Sequence, residues 1–299
     1  MRPQFDSREK QIRMPRLGQS AIFFCAVLWS TSGLFIKLLN WHPIVIAGSR
    51  SVVAALFLLG VRLLFPSIRR GKSNLKYMIA GALAYAATML TFVSANKLTS
   101  SANAILLQYT APVWAAVLGA LILKEKPHWE HWTALLMVMG GLILFFKDSL
   151  GQGHAAGDCL ALASGFFFAL HSVCLRLQRE ENPQDSLLFA HVISASFALP
   201  FFFFFPPVVS LPAAGAVVFM GTIQIGLASF LFAYGIKRVT AIQAMLTAMI
   251  EPILNPVWVL LITGESPAVS AILGGGIIIA AVVFSSIIGR RRASLTGSA

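Results

Sequence analysis

The amino-acid sequence predicts an all-α membrane protein with ten transmembrane helices in two inverted-topology five-helix repeats. Three observations lead to this prediction: a charge-poor composition, a series of apolar runs of membrane-spanning length, and an internal match at one constant offset. Of the 299 residues, 57% are hydrophobic and 11% are charged, whereas soluble domains carry about 25% charged residues. The composition therefore excludes an ordinary soluble domain.

The basic residues are distributed as they are in membrane proteins. The chain has a net charge of +12, which in a soluble protein would favour nucleic-acid binding. Its lysines and arginines lie instead at the two ends and in short connectors between apolar runs, which is the distribution that membrane insertion produces. We therefore expect a lipid bilayer around the chain and no nucleic-acid partner.

Ten apolar runs are each about 20 residues long, the length that crosses about 30 Å of hydrocarbon. The connectors between them are too short to hold a soluble domain. The basic start precedes a run of full spanning length, so we interpret it as a cytosolic tail rather than a signal peptide. The predicted spans 1 to 10 are 18–39, 43–65, 75–96, 101–123, 129–147, 157–177, 186–205, 212–236, 240–262 and 267–288. The predicted units are a basic tail (1–17), a first five-helix repeat (18–147), a second five-helix repeat (157–289) and a terminal tail (290–299).

The positions of lysine and arginine also predict the orientation of the chain. With a cytosolic amino terminus, only Lys37, Lys97 and Lys147 of the 23 basic residues face outward and Arg50 lies within span 2, which leaves 19 on the cytosolic side. Cytosolic connectors carry such an excess of positive charge. We expect both termini in the cytosol and the protein in a bacterial cytoplasmic (inner) membrane.

An internal repeat is the most specific signal in the sequence. Residues 104–127 align without a gap with residues 244–267, at a constant offset of 140 residues that carries Pro112 onto Pro252. Each half holds five predicted spans, an odd number, so the second half must enter the membrane from the opposite side. Inverted repeats of this kind place a substrate site near the middle of the membrane, between the halves.

Several short motifs occur in a fixed order along the two halves. They are Leu28-Trp29-Ser30 in span 1, Arg50 after Pro43 in span 2, Tyr109-Thr110-Ala111-Pro112 and Lys124-Glu125-Lys126 around span 4, and Glu251-Pro252 with Gly264-Glu265 around span 9. In their order and spacing, the chain resembles the drug/metabolite transporter superfamily, specifically an EamA-type permease with two EamA repeats. The resemblance covers all but the tails. It implies a central cavity lined by spans 1–4 and 6–9, with spans 5 and 10 peripheral, and leaves the substrate open among amino acids, sugars, nucleotide-related compounds and drugs.

Glu251 is the main candidate for chemistry. It lies midway along span 9, beside Pro252 and one turn before Pro256. A charge at the bilayer centre costs roughly 2.5–3.5 kcal/mol, so its presence needs a reason. Each proline removes a backbone donor, and we expect Pro112, Pro252 and Pro256 to break their helices. A carboxylate there can bind a cationic substrate group or a coupling proton; the alternative is a structural acid, protonated or paired with Arg50.

Arg50 and a set of polar side chains at mid-span depth complete the predicted cavity. Arg50 keeps its charge and is a candidate to receive a substrate carboxylate or phosphate, although snorkelling or neutralisation of Glu251 would also explain it. Polar groups avoid lipid, so most of the others should face the interior, either in a wet cavity or in bonds between helices. These residues are Trp29, Tyr85, Asn103, Gln108, Tyr109, His171, Gln224, Gln243 and Asn255.

Two repeat-related acids lie at span ends and are expected to be architectural. Glu125 and Glu265 precede Pro127 and Pro267, which suit the first turn of a following helix, and an acid near a helix start is stabilised by the helix dipole. No metal or cofactor is expected, because His171 and His191 are single imidazoles without carboxylate neighbours in sequence and the three cysteines have no metal-binding spacing.

The predicted function is secondary active transport, with export of small metabolites such as amino acids or drug-like compounds by alternating access. The chain has no GxxxxGK[ST] motif, so we expect a proton or solute exchange, not ATP, to supply the energy. The partners are a small-molecule substrate and the bilayer, and a coupling proton and a homodimer stay open. An intramembrane enzyme acting on a lipid or prenyl carrier is the alternative; it is disfavoured because the sequence has no HExxH or paired acidic motif. A channel suits a proline-broken inverted repeat less well than a carrier.

Overall fold

The computed structural model describes residues 4–31, 35, 39–65, 74–99, 101–147, 154–263 and 268–296. All regular secondary structure in these ranges is helical. The helices are α1 (Gln4–Ser30), α2 (Pro43–Leu64), α3 (Leu75–Leu98), α4 (Ser101–Gln108), α5 (Ala111–Leu118), α6 (Trp129–Phe146), α7 (Ala155–Leu177), α8 (Pro183–Phe204), α9 (Leu211–Phe219), α10 (Ala228–Ile236), α11 (Ala241–Ala248), α12 (Ile250–Thr263) and α13 (Val269–Thr296). Two π-helical segments, Gly119–Leu123 and Met220–Leu227, extend α5 and join α9 to α10.

Eight helical segments in the described ranges are long and apolar enough to cross a membrane. They correspond to predicted spans 2 to 8 and span 10. Predicted span 9 holds a shorter apolar stretch, Ala241–Leu254, and predicted span 1 includes residues 32–34 and 36–38, which lie outside the described part of the chain. The structure therefore confirms an all-helical, multi-span protein, and the count of ten and the inversion of the repeats stay predictions.

Polar residues and prolines set the starts of the helices. The Nδ1 atom of His42 accepts a hydrogen bond from Ile44 N at 3.3 Å and so caps α2, whose first residue, Pro43, has no N–H that would need a partner. The Oδ1 atom of Asn74 accepts from Lys76 N at 3.1 Å at the start of α3. These caps satisfy donors that the first helical turn leaves without a carbonyl.

Predicted spans 4 and 9 are each broken in the middle. Tyr109 and Thr110 separate α4 from α5, and Met249 separates α11 from α12. Pro112 and Pro252 follow these breaks within a few residues; proline cannot donate to the helical ladder, and it disfavours the helical conformation in the residue before it. The 140-residue offset carries Tyr109 onto Met249, so the two breaks occupy equivalent positions in the repeats.

The two halves of the chain are interleaved. Among the described helices, the most extensive packing joins α3 with α7, α6 with α13, α2 with α8, α3 with α8 and α1 with α10, and each pair takes one helix from each predicted repeat. A Cβ atom added at Gly274 would lie 2.5 Å from the carbonyl oxygen of Gly141, so α6 and α13 touch through their backbones. The largest buried cluster lies where α1, α7, α10 and α11 meet. The repeats therefore share one core.

Candidate functional site

The two helix breaks meet at a carboxyl group. Glu251 lies in the first turn of α12, two residues after the break at Met249. The side chain of Tyr109, at the other break, forms a hydrogen bond with Glu251. Cys25 of α1 and Tyr85 of α3 lie close enough to interact electrostatically with Glu251. One predicted site residue from each repeat thus contributes to a single polar contact.

Arg50 lies near this contact but is not paired with Glu251. It belongs to the second turn of α2, and its guanidinium donates to the Met89 sulfur at 3.8 Å. The ion pairs of the described residues join other side chains, and no carboxylate lies within 4 Å of Arg50 among them. Its electrostatic neighbour is Tyr85. The structure therefore shows no ion pair between Arg50 and Glu251, which the neutralisation alternative would require.

Both charged groups keep solvent-accessible surface although protein surrounds them. Glu251 and Arg50 are half-buried, while their neighbours Tyr85, Tyr109 and Cys25 are at most 9% exposed. Two of these neighbours, Tyr85 and Tyr109, belong to the set predicted to line a cavity. The structure thus brings Glu251, Arg50 and part of that set together.

Two histidines flank Tyr85. The centroid of its ring lies 5.0 Å from that of His171 and 5.2 Å from that of His191. The Nδ1 atom of His171 bonds to the Gly81 carbonyl oxygen at 2.7 Å, which fixes the ring against α3. Sequence analysis did not select His191 as a site residue, although a polar side chain inside an apolar span is a signal that would have found it.

The other predicted cavity residues have several placements. Trp29 packs its ring against Phe168 and Phe232, with centroids at 5.9 and 5.4 Å, and Phe232 stacks in turn on His171. The Nε2 atom of Gln224 donates to the Trp29 carbonyl oxygen at 3.4 Å. Trp29 and Gln224 are thus connected to the aromatic wall next to the histidines.

Three further residues make structural contacts. The Nε2 atom of Gln108 donates to Ser164 Oγ at 2.9 Å and joins α4 to α7, and Asn103 contacts Thr99 one turn earlier at 3.4 Å. Gln243 forms a capping box with Thr240 at the start of α11, away from the middle of the span. The side chains of Asn255 and Pro256 lie outside the described residues, although their backbone is part of α12.

A polar cluster links several helix ends at one end of the bundle, the end that the charge distribution predicts to be cytosolic. Arg176 Nε donates to Glu125 Oε1 at 2.7 Å, and its NH1 group donates to the carbonyl oxygens of Ile236 and Lys237 at 3.1 and 2.8 Å. Glu125 Oε2 accepts from Ala241 N at 3.1 Å. Glu125 therefore stabilises the start of α11 and not, as we expected, the helix that follows Pro127. Its repeat equivalent, Glu265, and Pro267 lie outside the described residues.

Lys237 belongs to the same end of the bundle. Its Nζ atom donates to the Glu181 carbonyl oxygen at 2.8 Å. Partial burial and the neighbouring Arg238 lower the pKa of Lys237, and Glu180 opposes this shift.

Comparison with known proteins gives a consistent picture. Residues 16–147 and 155–287 each match the EamA-like transporter family. An uncharacterized transporter of Archaeoglobus fulgidus is 25% identical over 276 residues, which are 91% of this chain and 97% of that protein. The uncharacterized transporter YwfM of Bacillus subtilis is 25% identical over 62% of this chain and 64% of that protein. Solute carrier family 35 member G1 of Homo sapiens is 28% identical over 56% of this chain and 50% of that protein.

A solved structure shares the fold. A crystal structure of another protein superposes with a TM-score of 0.79 at 18% identity, over 91% of this chain and 98% of that one. The family matches cover both halves of the sequence, and the relatives are transporters by name. The chain therefore belongs to the EamA-like transporter family and is a multi-span membrane transporter, not an enzyme.

Proposed function

We propose that the protein is a secondary active transporter that exports small metabolites by alternating access around Glu251. One observation carries the proposal: a half-buried carboxyl group lies at a helix break deep in the bundle, held by Tyr109 from the other repeat. Acids at such depth are expensive and mark binding sites or proton pathways. Tyr109 orients this acid without neutralising it.

Glu251 has two roles in the proposed cycle. In its ionised form it binds a cationic group of the substrate or takes up a proton. Its charge is then neutralised, which lets the protein pass through the closed, low-dielectric conformation between the inward-open and outward-open forms. The break at Met249 frees the backbone around this side chain, which allows the first turn of α12 to adjust when the charge changes. A proton or exchanged solute supplies the energy.

The proposed cycle takes account of the helix packing. An inverted repeat predicts that one half rocks against the other, but the helices of the two repeats are interleaved. In the proposed cycle, the moving bodies therefore contain helices from both repeats. In the proposed cycle, the cluster around Glu125 and Arg176 holds helix ends together at the end assigned to the cytosol and must open to give access to Glu251 from that side. The inverted topology, the cytosolic termini and the bacterial inner membrane belong to the same proposal.

The test is solute flux in proteoliposomes. Wild-type protein, Glu251→Gln and the control Glu180→Gln, which changes a carboxylate with 88% exposure, are compared in counterflow assays with radiolabelled amino acids and cationic drugs over a range of pH. We expect saturable counterflow from the wild type and the control and none from Glu251→Gln, with all three proteins equally monodisperse. Wild-type rates from Glu251→Gln at every pH would remove Glu251 from the mechanism. Product formation without flux would instead favour the enzyme alternative.

A further inference from the structure

The arginines of the helix ends and Arg50, in the second turn of α2, have different surroundings. Arg62 forms an ion pair with Asp185 at 2.8 Å, and Arg176 forms one with Glu125 at 2.7 Å. The hydrogen-bond acceptor of Arg50 within the described part of the chain is the Met89 sulfur, at 3.8 Å. A guanidinium cannot shed its proton, and a buried charge without a counter-ion is strongly unfavourable. Among the described residues, Arg50 therefore has no counter-ion within 4 Å.

A nearby histidine has one ring nitrogen without a partner among the residues that the structure describes. His191, which is fully buried, bonds through Nε2 to Ser229 Oγ at 3.4 Å, while its Nδ1 atom has no hydrogen-bond partner among them. When Nε2 accepts from the Ser229 hydroxyl group, Nδ1 carries the ring proton and is a free donor. His191 interacts electrostatically with Arg50, and the ring of Tyr85 contacts His191 edge to face at 5.2 Å.

Packing around Arg50 is tight enough to fix its position. A Cβ atom added at Gly221 would lie 3.0 Å from the backbone oxygen of Arg50 and 2.4 Å from Val53 Cβ, so the π-helical segment Met220–Leu227 lies directly against α2. The three polar side chains come from α2, α3 and α8, which pack on one another. The donors are thus held by the scaffold and do not depend on a flexible loop.

We infer that Arg50, with Tyr85 and His191, forms an anion subsite that binds the carboxylate or phosphate group of the transported solute. This inference rests on the proposed transport function and names a chemical requirement for its substrate. The guanidinium offers paired donors that match an oxyanion, and the tyrosine hydroxyl and the imidazole Nδ1–H add neutral donors. Tyr85 interacts with both Arg50 and Glu251, so the substrate spans from the anion subsite toward the acid.

The first experiment measures thermal unfolding of purified protein in detergent. Sodium benzoate and sodium phosphate are each compared with sodium chloride at equal ionic strength, and benzamide is the neutral match of benzoate. We expect benzoate or phosphate to raise the melting temperature of the wild type, as a ligand of the folded state must, and benzamide to leave it unchanged. Arg50→Gln should abolish the shift, whereas Arg62→Gln, at the paired arginine, should keep it. No shift in the wild type with either anion, or a full shift in Arg50→Gln, would overturn the inference.

A second measurement needs no ligand. Removing an unpaired buried charge should not destabilise the apo protein, so Arg50→Gln should melt at or above the wild-type temperature. Arg176→Gln, which breaks an ion pair, should melt lower. A fall in Arg50→Gln as large as that in Arg176→Gln would assign Arg50 a structural role and contradict the subsite. If Arg50→Gln does not fold, His191→Phe is tested for loss of the anion shift in its place, and an undiminished shift contradicts the inference.

Two controls separate the alternatives. Repeating the benzoate series in nanodiscs with and without phosphatidylglycerol distinguishes a soluble anion from a lipid headgroup. If benzoate raises the melting temperature only when anionic lipid is absent from the disc, headgroups compete for Arg50. If it raises the melting temperature in both kinds of disc, the site binds solutes alone. A benzoate shift that persists in Glu251→Gln would keep the anion subsite even if the flux assay removes Glu251 from the mechanism.

Discussion

The two broken spans are interrupted at equivalent backbone positions but carry different side chains there. In span 4 the break at Tyr109 is followed by Ala111 and Pro112, and in span 9 the break at Met249 is followed by Glu251 and Pro252. The offset carries alanine onto glutamate and tyrosine onto methionine. Each half thus supplies one of the two groups in the central hydrogen bond.

The helices that pack on the breaks differ in the same way. Gly165 of α7 lies against span 4, where an added Cβ would be 2.6 Å from the Gln108 carbonyl oxygen. The equivalent position in the first repeat is Cys25 of α1, whose thiol interacts electrostatically with Glu251. The breaks are shared by the two repeats, whereas the residues of the site differ between them. Two identical repeats would lack either Glu251 or Tyr109, because the equivalent positions hold alanine and methionine.

The largest expected effect tests whether the two broken spans are joined at the bundle end. Arg176→Gln removes the donor that links Glu125, after span 4, to the end of α10, beside the start of span 9. Breaking a largely buried pair leaves a carboxylate underpaired, so we expect a loss of about 3 kcal/mol in unfolding free energy. Chemical denaturation in detergent measures it. Arg62→Gln, in a pair with 30% and 12% exposed side chains, should cost about 1 kcal/mol or less; equal losses would contradict a special role for the cluster.

A smaller effect tests the contact between the breaks. Tyr109→Phe keeps the ring and removes the hydroxyl group that bonds to Glu251. A hydrogen bond to a charged group contributes about 1.5–3 kcal/mol, so we expect transport to fall about 10- to 100-fold while the protein stays folded. Initial counterflow rates measure the fall. Tyr234→Phe, which keeps the ring that Arg238 covers at 3.5 Å, is the matched control, and an equal fall in both variants would refute a particular role for Tyr109.

The smallest effect concerns the helices behind the breaks. Gly165→Ala forces a methyl group against the Gln108 carbonyl oxygen and, at 3.0 Å, Thr110 Oγ1, which we expect to cost about 1–3 kcal/mol. Cys25→Ala, at the equivalent position, introduces no overlap and should cost less. Melting temperatures of the two variants measure the difference. A Gly165→Ala protein as stable as the Cys25→Ala protein would mean that close approach of α7 is not needed at span 4.

The fold was largely predictable because its signals are local. Apolar run length predicted eight of the spans that the structure describes, and span 2 was predicted to start at Pro43, where its helix starts. Helix breaks were expected at Pro112, Pro252 and Pro256. The structure has breaks just before the first two, at Tyr109–Thr110 and at Met249, whereas α12 continues through residue 256. Each of these features depends on a few neighbouring residues or on one constant spacing.

The contacts of the site were less predictable because they depend on how distant helices meet. Sequence analysis grouped Gln243 with the cavity, but a polar side chain three residues after Thr240 has a local partner in the capping box. Glu125 was placed beside the next helix in sequence. Lys124, with a left-handed φ of 58°, instead turns the chain so that Glu125 reaches Ala241, 116 residues away. His191 could have been selected as a polar side chain inside an apolar span, but its place beside Tyr85 depends on how α3 and α8 pack.

The interleaving of the repeats has a consequence for how the protein inserts into the membrane and folds. The partner of α2 is α8, and the ion pair between them joins residues 123 positions apart. The helices of the first half must therefore remain, with their small and polar faces toward lipid or insertion machinery, until those of the second half are inserted. If the two halves are expressed as separate chains, each should be degraded quickly when it is alone and persist when both are present, because each half buries the packing surface of the other.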